Sequence, residues 1–174
     1  MMDPIHSTAV ILLRSSLEAG NTTRLRVDGE SMRPTLHKGD VVVVCSCPME
    51  QLSIGDVLVM QRDNELVTHR LVSIQPDGWY TKGDAHSTLD PLFSRESILG
   101  RVEAVERGES SWSIRTPGWI SSSRIVGWMA WQEAQAYRFY RRLTVGGGEG
   151  KKWWAQLLLI PFRLPLWLLA AYRR

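Results

Sequence analysis

Ser31 and His69 are the residues of this 174-residue chain whose types and settings could carry covalent chemistry. Ser31 stands in the stretch Gly29-Glu30-Ser31-Met32-Arg33-Pro34, a Gly- and Pro-bounded loop that can hold a side chain out of a sheet toward a substrate. A serine hydroxyl is a weak nucleophile at neutral pH and needs a base within hydrogen-bond reach. An imidazole is the side chain best suited to that task. In the run 66–72, strict alternation puts Val67, His69 and Leu71 on one strand face, with Leu66, Thr68, Arg70 and Val72 on the other. Each residue also has a plainer reading when taken alone. His69 can be a core histidine bonded to a carbonyl, and Ser31 can cap the turn that enters Arg33-Pro34.

The remaining reactive side chains form weaker patterns. Cys45 and Cys47 would share a strand face, but two ligands do not close a zinc site and near-neighbours on a strand seldom form an undistorted disulfide. They read as ordinary buried cysteines. His37 and His86 lie beside turn residues and read as solvated, although His86 is near enough in sequence to Asp84 and Asp90 to line a common cleft. No metal or organic cofactor is implied.

Positioning Ser31 against His69 requires a fold, and the chain is punctuated for one. Residues 7–19 read as a short amphipathic helix, capped by Ser7 or Thr8, with Val10, Leu13 and Leu17 at helical spacing and Gly20 at the stop. From 23 to about 115 come short β-branched runs at 24–27, 41–45, 57–60, 66–74, 79–81, 99–107 and 112–115. Gly39-Asp40, Gly55-Asp56 and Gly83-Asp84 mark turns between them. After Gly118 the period becomes helical, with Ser121 to Ser123 as a cap and Ile125, Trp128, Met129, Ala136, Tyr140 and Leu143 as one stripe. The division expected is an N-terminal helix at 1–22, a β-rich domain at 23–117, an amphipathic helix at 118–145, a Gly-rich linker at 146–152 and a hydrophobic tail at 153–174.

Composition agrees with one globular domain plus an appendage, since 44% of the residues are hydrophobic and 22% charged. Those values exclude disordered and collagen-like chains. Charge is divided unevenly: residues 1–110 carry 11 Lys and Arg against 16 Asp and Glu, and residues 111–174 carry 10 against 2. Seven of the eight tryptophans fall in that basic third. Trp with Lys and Arg is the mixture that settles at a lipid headgroup layer. Aromatics interleaved with arginine also suit nucleic acid, but the aliphatic run Leu157-Leu158-Leu159-Ile160 gains nothing from a polyanion, so a membrane surface is the expected partner and nucleic acid is not. Pro161, Arg163 and Pro165 oppose a straight lipid-exposed span and favour an interfacial or re-entrant anchor. The alternative is a tail packed on the β body as core. The apolar stretch at 9–13 is too short for a signal peptide or an anchor.

The ordered blocks Gly-x-Ser-Met-x-Pro-Thr-Leu-x-x-Gly-Asp-x-Val-x-Val at 29–44, Gly-Asp-Val-Leu-Val at 55–59, Thr-His-Arg-Leu-Val at 68–72 and Thr-Lys-Gly-Asp at 81–84, with Asp90 six residues on, resemble the type I signal peptidases and their self-cleaving repressor relatives. The resemblance spans roughly residues 22–107. It implies a mainly β, signal-peptidase-like fold, here with a short N-terminal helix and a helical, hydrophobic C-terminal extension. Between Thr68 and Arg70 the bacterial signal peptidases and repressors usually carry lysine, and the endoplasmic-reticulum and archaeal type carries histidine, so His69 points to the histidine branch. By the same resemblance Ser31 matches the nucleophile, His69 the general base, Asp90 its acidic partner and Asp84 a second aspartate of that block. Gly29 replaces a serine that often helps hold the oxyanion in the family, leaving the Ser31 backbone N–H and another donor.

The reading is a serine endopeptidase that cleaves a signal or leader peptide within a peptide or preprotein substrate, associated with a membrane peripherally or through its C-terminal third. Two other functions fit parts of the pattern. A self-cleaving regulator would share the β fold, although the 22 or so residues before the first strand are short for a helix-turn-helix domain. A non-catalytic β module that docks a peptide or membrane would not need Ser31 and His69 in contact.

Overall fold

The computed structural model describes residues 4–62 and 65–144. Helix α1 (Pro4–Glu18) precedes seven strands: β1 (Thr23–Arg26), β2 (Val41–Cys45), β3 (Val57–Arg62), β4 (Glu65–Gln75), β5 (Gly78–Lys82), β6 (Ile98–Arg107) and β7 (Ser110–Ser113). Helix α2 (Pro117–Thr144) follows. The strands form one antiparallel sheet in the order β1-β2-β6-β3-β4-β5, with β7 also on β6. This is the mainly β architecture, with a helix near each end, that the alternating runs imply.

Alternation along the central strand divides the interior in two. Val57 and Val59 of β3 join Val42, Val44, Val102 and Val105 in one apolar cluster, which α1 closes with Val10, Leu13 and Leu17. Leu58 and Met60 point the other way, into a cluster with Leu52, Leu71, Trp79, Phe93 and Ile98. A strand covered on both faces reads as a continuous apolar run, which is why 57–60 shows no polar alternation.

The turn aspartates are fixed by charge. Asp40 accepts the His37 backbone N–H and a two-pronged bond from Arg107, and Asp56 accepts the Ser53 N–H and a bond from Arg115. Burial pushes the Asp40 carboxyl up, but Arg107 and the His37 N–H more than offset it, leaving its pKa below the ordinary carboxylate range.

Four sequence expectations are corrected at the helices and cysteines. Helix α1 begins at Pro4, so Ser7 and Thr8 lie within it rather than capping it. Helix α2 begins at Pro117, a residue suited to the first helical position, and Ser121 to Ser123 are already inside. Its buried face is not the expected stripe: Ile125 and Trp128 are 56% and 58% exposed, whereas Trp119, Ser123, Val126, Ala130, Glu133 and Ala134 are buried. The reason is close packing. Gly55 has φ +99, and a Cβ there would stand 2.4 Å from the Ser123 backbone, while one at Gly127 would stand 2.8 Å from Gly55 N. Small residues on α2 let it approach the turn before β3, and larger apolar side chains on that face would hold it away. Finally, β2 ends at Cys45, so Cys47 lies beyond the strand. Both cysteines are free and half-buried, and burial with the nearby Glu103 pushes the Cys45 thiol up to about 11.

The Gly-rich linker at 146–152 and the tail at 153–174 lie outside the described residues. Among the described residues no helix is long and apolar enough to cross a membrane.

Candidate active site

The loop carrying Ser31 is anchored by its own neighbours. Met32 and Leu36 are both buried in the α1-side cluster, and the Leu36 N–H donates to Met32 O at 2.9 Å, so the apolar residues of the motif pin the loop onto the core. Ser31 O accepts the Ala85 N–H at 2.8 Å, which ties the loop to the turn after β5. With its backbone held on both sides, Ser31 presents its hydroxyl to β4.

There the Ser31 hydroxyl lies 3.0 Å from His69 Nε2, and His69 Nδ1 lies 2.6 Å from Asp90 Oδ2. The same Asp90 oxygen accepts the Thr81 hydroxyl at 2.7 Å, and Oδ1 forms an ion pair with Arg62 at 2.9 Å. Asp90 is itself placed by its backbone N–H, which donates to Thr81 O. Burial raises the Asp90 carboxyl, but its contacts with His69, Thr81 and Arg62 outweigh that and hold its pKa below the ordinary range. A hydroxyl, an imidazole and an ionised carboxylate in line can activate the hydroxyl: Nε2 takes the proton while the carboxylate fixes the Nδ1–H tautomer and stabilises the imidazolium.

Asp84 has a different partner. Its oxygens accept Arg70 Nε–H at 2.8 Å and Nη2–H at 2.7 Å, and Oδ2 also accepts the Thr35 hydroxyl at 2.6 Å. The Arg70 guanidinium further donates to Gly55 O, Ser123 Oγ and Thr35 Oγ1. All five of its N–H groups are therefore used, which is how a guanidinium can be sealed from solvent. The carboxylate of Asp84 thus turns to Arg70 and Thr35 rather than to His69, and holds the Ser31 loop to the strand that bears His69. Ser31, His69 and Asp90 are brought together; Asp84 braces them.

His86 does approach the group. Its ring stands edge-on to that of His69 with centroids 5.8 Å apart, and burial together with the His69 ring lowers its pKa. Gly83 makes this possible, since a Cβ there would lie 2.8 Å from Ser31 O, 3.0 Å from His69 Nε2 and 3.1 Å from His86 Nδ1. Thr35, Arg70 and Thr81 belong to the quoted blocks, but neither alternation nor spacing marks them as part of the site. Arg62 carried no signal at all, because its pairing with Asp90 depends on where the loop after β5 returns.

Ser31 and His69 open onto a groove of about 520 Å³, lined on one side by Leu25, Val27 and Gly29 and on the other by Leu66, Val67 and Thr68. Among the described residues β1 pairs only with β2, and residues 65–69 of β4 pair only with β3. The groove is thus bordered by two strand edges with unused backbone hydrogen bonds. No group of His, Cys, Asp and Glu able to hold a metal is found among the described residues.

An antiparallel β fold with a Ser–His–Asp relay beside a groove defines the geometry of a serine-hydrolase site. Residues 2–102, more than half of the chain, match the family model described as Peptidase S24-like, and the chain belongs to that family. Membership supports serine-peptidase or self-cleaving chemistry. No curated protein matches the chain.

Proposed function

We propose that the chain is a signal-peptidase-like serine endopeptidase of the histidine-base type, acting on an extended signal or leader peptide. The observation that carries this reading is the Ser31–His69–Asp90 alignment beside a groove of mixed apolar and charged lining. The two free strand edges favour a substrate bound as an added strand, through main-chain hydrogen bonds, with small or aliphatic side chains against Leu25, Val27 and Val67. Ser31 Oγ then attacks the scissile carbonyl as its proton passes to His69 Nε2. The imidazolium, held by Asp90, returns that proton to the leaving amine, and a water activated by the same imidazole releases the acyl group.

Attachment to a membrane surface through residues 153–174 is part of the proposal, supported by the Trp-, Leu- and Arg-rich sequence of that segment. The test is incubation of purified protein with a leader-peptide library, mapping cleavage by mass spectrometry, with Ser31→Ala as control. Site-specific cleavage lost in the control is expected. Cleavage of the chain's own polypeptide alone would favour the self-cleaving regulator, and no Ser31-dependent cleavage would favour the docking module.

A further inference from the structure

The matched segment ends at residue 102 and α2 begins at Pro117, so the family resemblance says nothing about this helix. Its buried face nevertheless sends a carboxylate to the strand beside the active site. Glu133 Oε2 lies 2.8 Å from Lys82 Nζ, and the two side chains are 1% and 0% exposed. Stability alone does not call for such a pair, because well-packed apolar residues in place of a buried ion pair are often as stable or more so.

Lys82 Nζ has a second partner, the carbonyl oxygen of His86. The side chain that opens the 82–86 turn therefore also closes it, with Glu133 holding the ammonium from outside. That turn is in direct contact with the reacting groups. Gly83 packs against Ser31 O and His69 Nε2, Ala85 N–H donates to Ser31 O, and the His86 ring stands beside that of His69. Any change in the course of the turn is felt at Ser31 and at His69 together.

We propose that Glu133 and Lys82 are positioning residues, through which α2 fixes the 82–86 turn and, with it, the approach of Ser31 to His69. The inference rests on the peptidase reading above. A misplacement of reacting groups by about 1 Å can cost roughly 100-fold in rate, so a braced turn matters for turnover even where the fold survives without it.

The test replaces the ion pair by apolar residues in the full chain, as Lys82→Met/Glu133→Leu, and compares it with wild type in thermal unfolding, peptide cleavage and NMR of the His69 ring protons. The double variant is expected to unfold at or above the wild-type temperature, to show shifted His69 ring signals, and to lose roughly 10- to 100-fold in kcat with KM within about twofold. Glu133→Asp, which keeps the charge, is expected to retain more turnover than Glu133→Gln. A folded double variant with wild-type kcat and unmoved His69 signals would overturn the proposal and leave the pair as a brace for α2 alone. Should wild type itself cleave no peptide, the peptidase reading fails, and the His69 signals decide the positional link separately.

Discussion

Asp90 grips the imidazole of His69 through one carboxylate oxygen, Oδ2, 2.6 Å from Nδ1, while its other oxygen is engaged by Arg62. The geometry fixes which ring nitrogen carries the proton and leaves Nε2 facing Ser31. Asp90→Asn is expected to keep the fold, as judged by circular dichroism, and to lower kcat by roughly 10²- to 10⁴-fold through the wrong tautomer and lost charge stabilisation. Thr81→Val, which removes only the second donor to Oδ2, is expected to cost less.

Ser31→Ala and His69→Ala are each expected to reduce peptide cleavage to background with unchanged circular dichroism. Because members of a relay act as a unit, the double variant should be little worse than either single one. Steady-state cleavage of one peptide by all three variants makes the comparison.

The Asp84–Arg70 pair calls for a different readout. Both side chains are 1% exposed, so Asp84→Ala leaves a buried guanidinium without its carboxylate and is expected to cost about 3–5 kcal/mol of stability in urea unfolding. Turnover should fall at least as far as the folded fraction does, since the Ser31 loop also loses its tie to the strand that bears His69. A variant as stable as wild type but inactive would instead place Asp84 in the chemistry.

Acid should weaken the fold in two windows. His37 and His86 have lowered pKa values, chiefly from burial, so the folded protein favours their neutral forms and loses stability as pH falls below about 6.5, where the unfolded chain takes up those protons. Asp40 and Asp90 are lowered despite burial, so their contribution is complete above the ordinary carboxylate value of about 4 and is lost as pH falls through their lower folded values. Urea midpoints measured from pH 8 to pH 3 should fall in both windows.

Gly29 lines the groove beside Ser31, and a Cβ built there meets nothing within 4 Å. Gly29→Ser is therefore sterically free and adds a hydroxyl two residues before the nucleophile, where the resemblance to the signal peptidases implies an oxyanion donor. A rise in kcat of up to roughly tenfold is expected if that hydroxyl reaches the developing oxyanion, a modest share of what one such donor can supply. Comparison of kcat with wild type at equal KM checks it.

Truncation after Gly148 is expected to abolish stable binding to anionic vesicles while leaving cleavage of a short soluble peptide intact, since every residue placed in the site precedes it. Partial release of the full chain by salt, with a blue shift of tryptophan emission on adding vesicles, would accompany interfacial binding. Aggregation of the truncated chain with an unmoved spectrum would mean the tail belongs to the core.

Local patterning sufficed for the strands and the inner face of α1, because alternation and helical spacing are properties of neighbours in the chain, whereas the pairing of Ser31 with His69 came only from the resemblance of the ordered blocks. The valine run at 41–45 is a strand over those residues, and Val10, Leu13 and Leu17 are buried as their spacing requires. Hydrophobicity misjudged α2, because its inner face is selected by closeness to Gly55 and by the ammonium of Lys82 rather than by apolar content. The two aspartates at 84 and 90 make the same point. They are one residue type six positions apart, equivalent to any local rule. What holds one at Arg70 and the other at His69 is the path of the loop after β5, and that path is set by contacts with residues 14 to 49 positions away in sequence, which no local pattern contains.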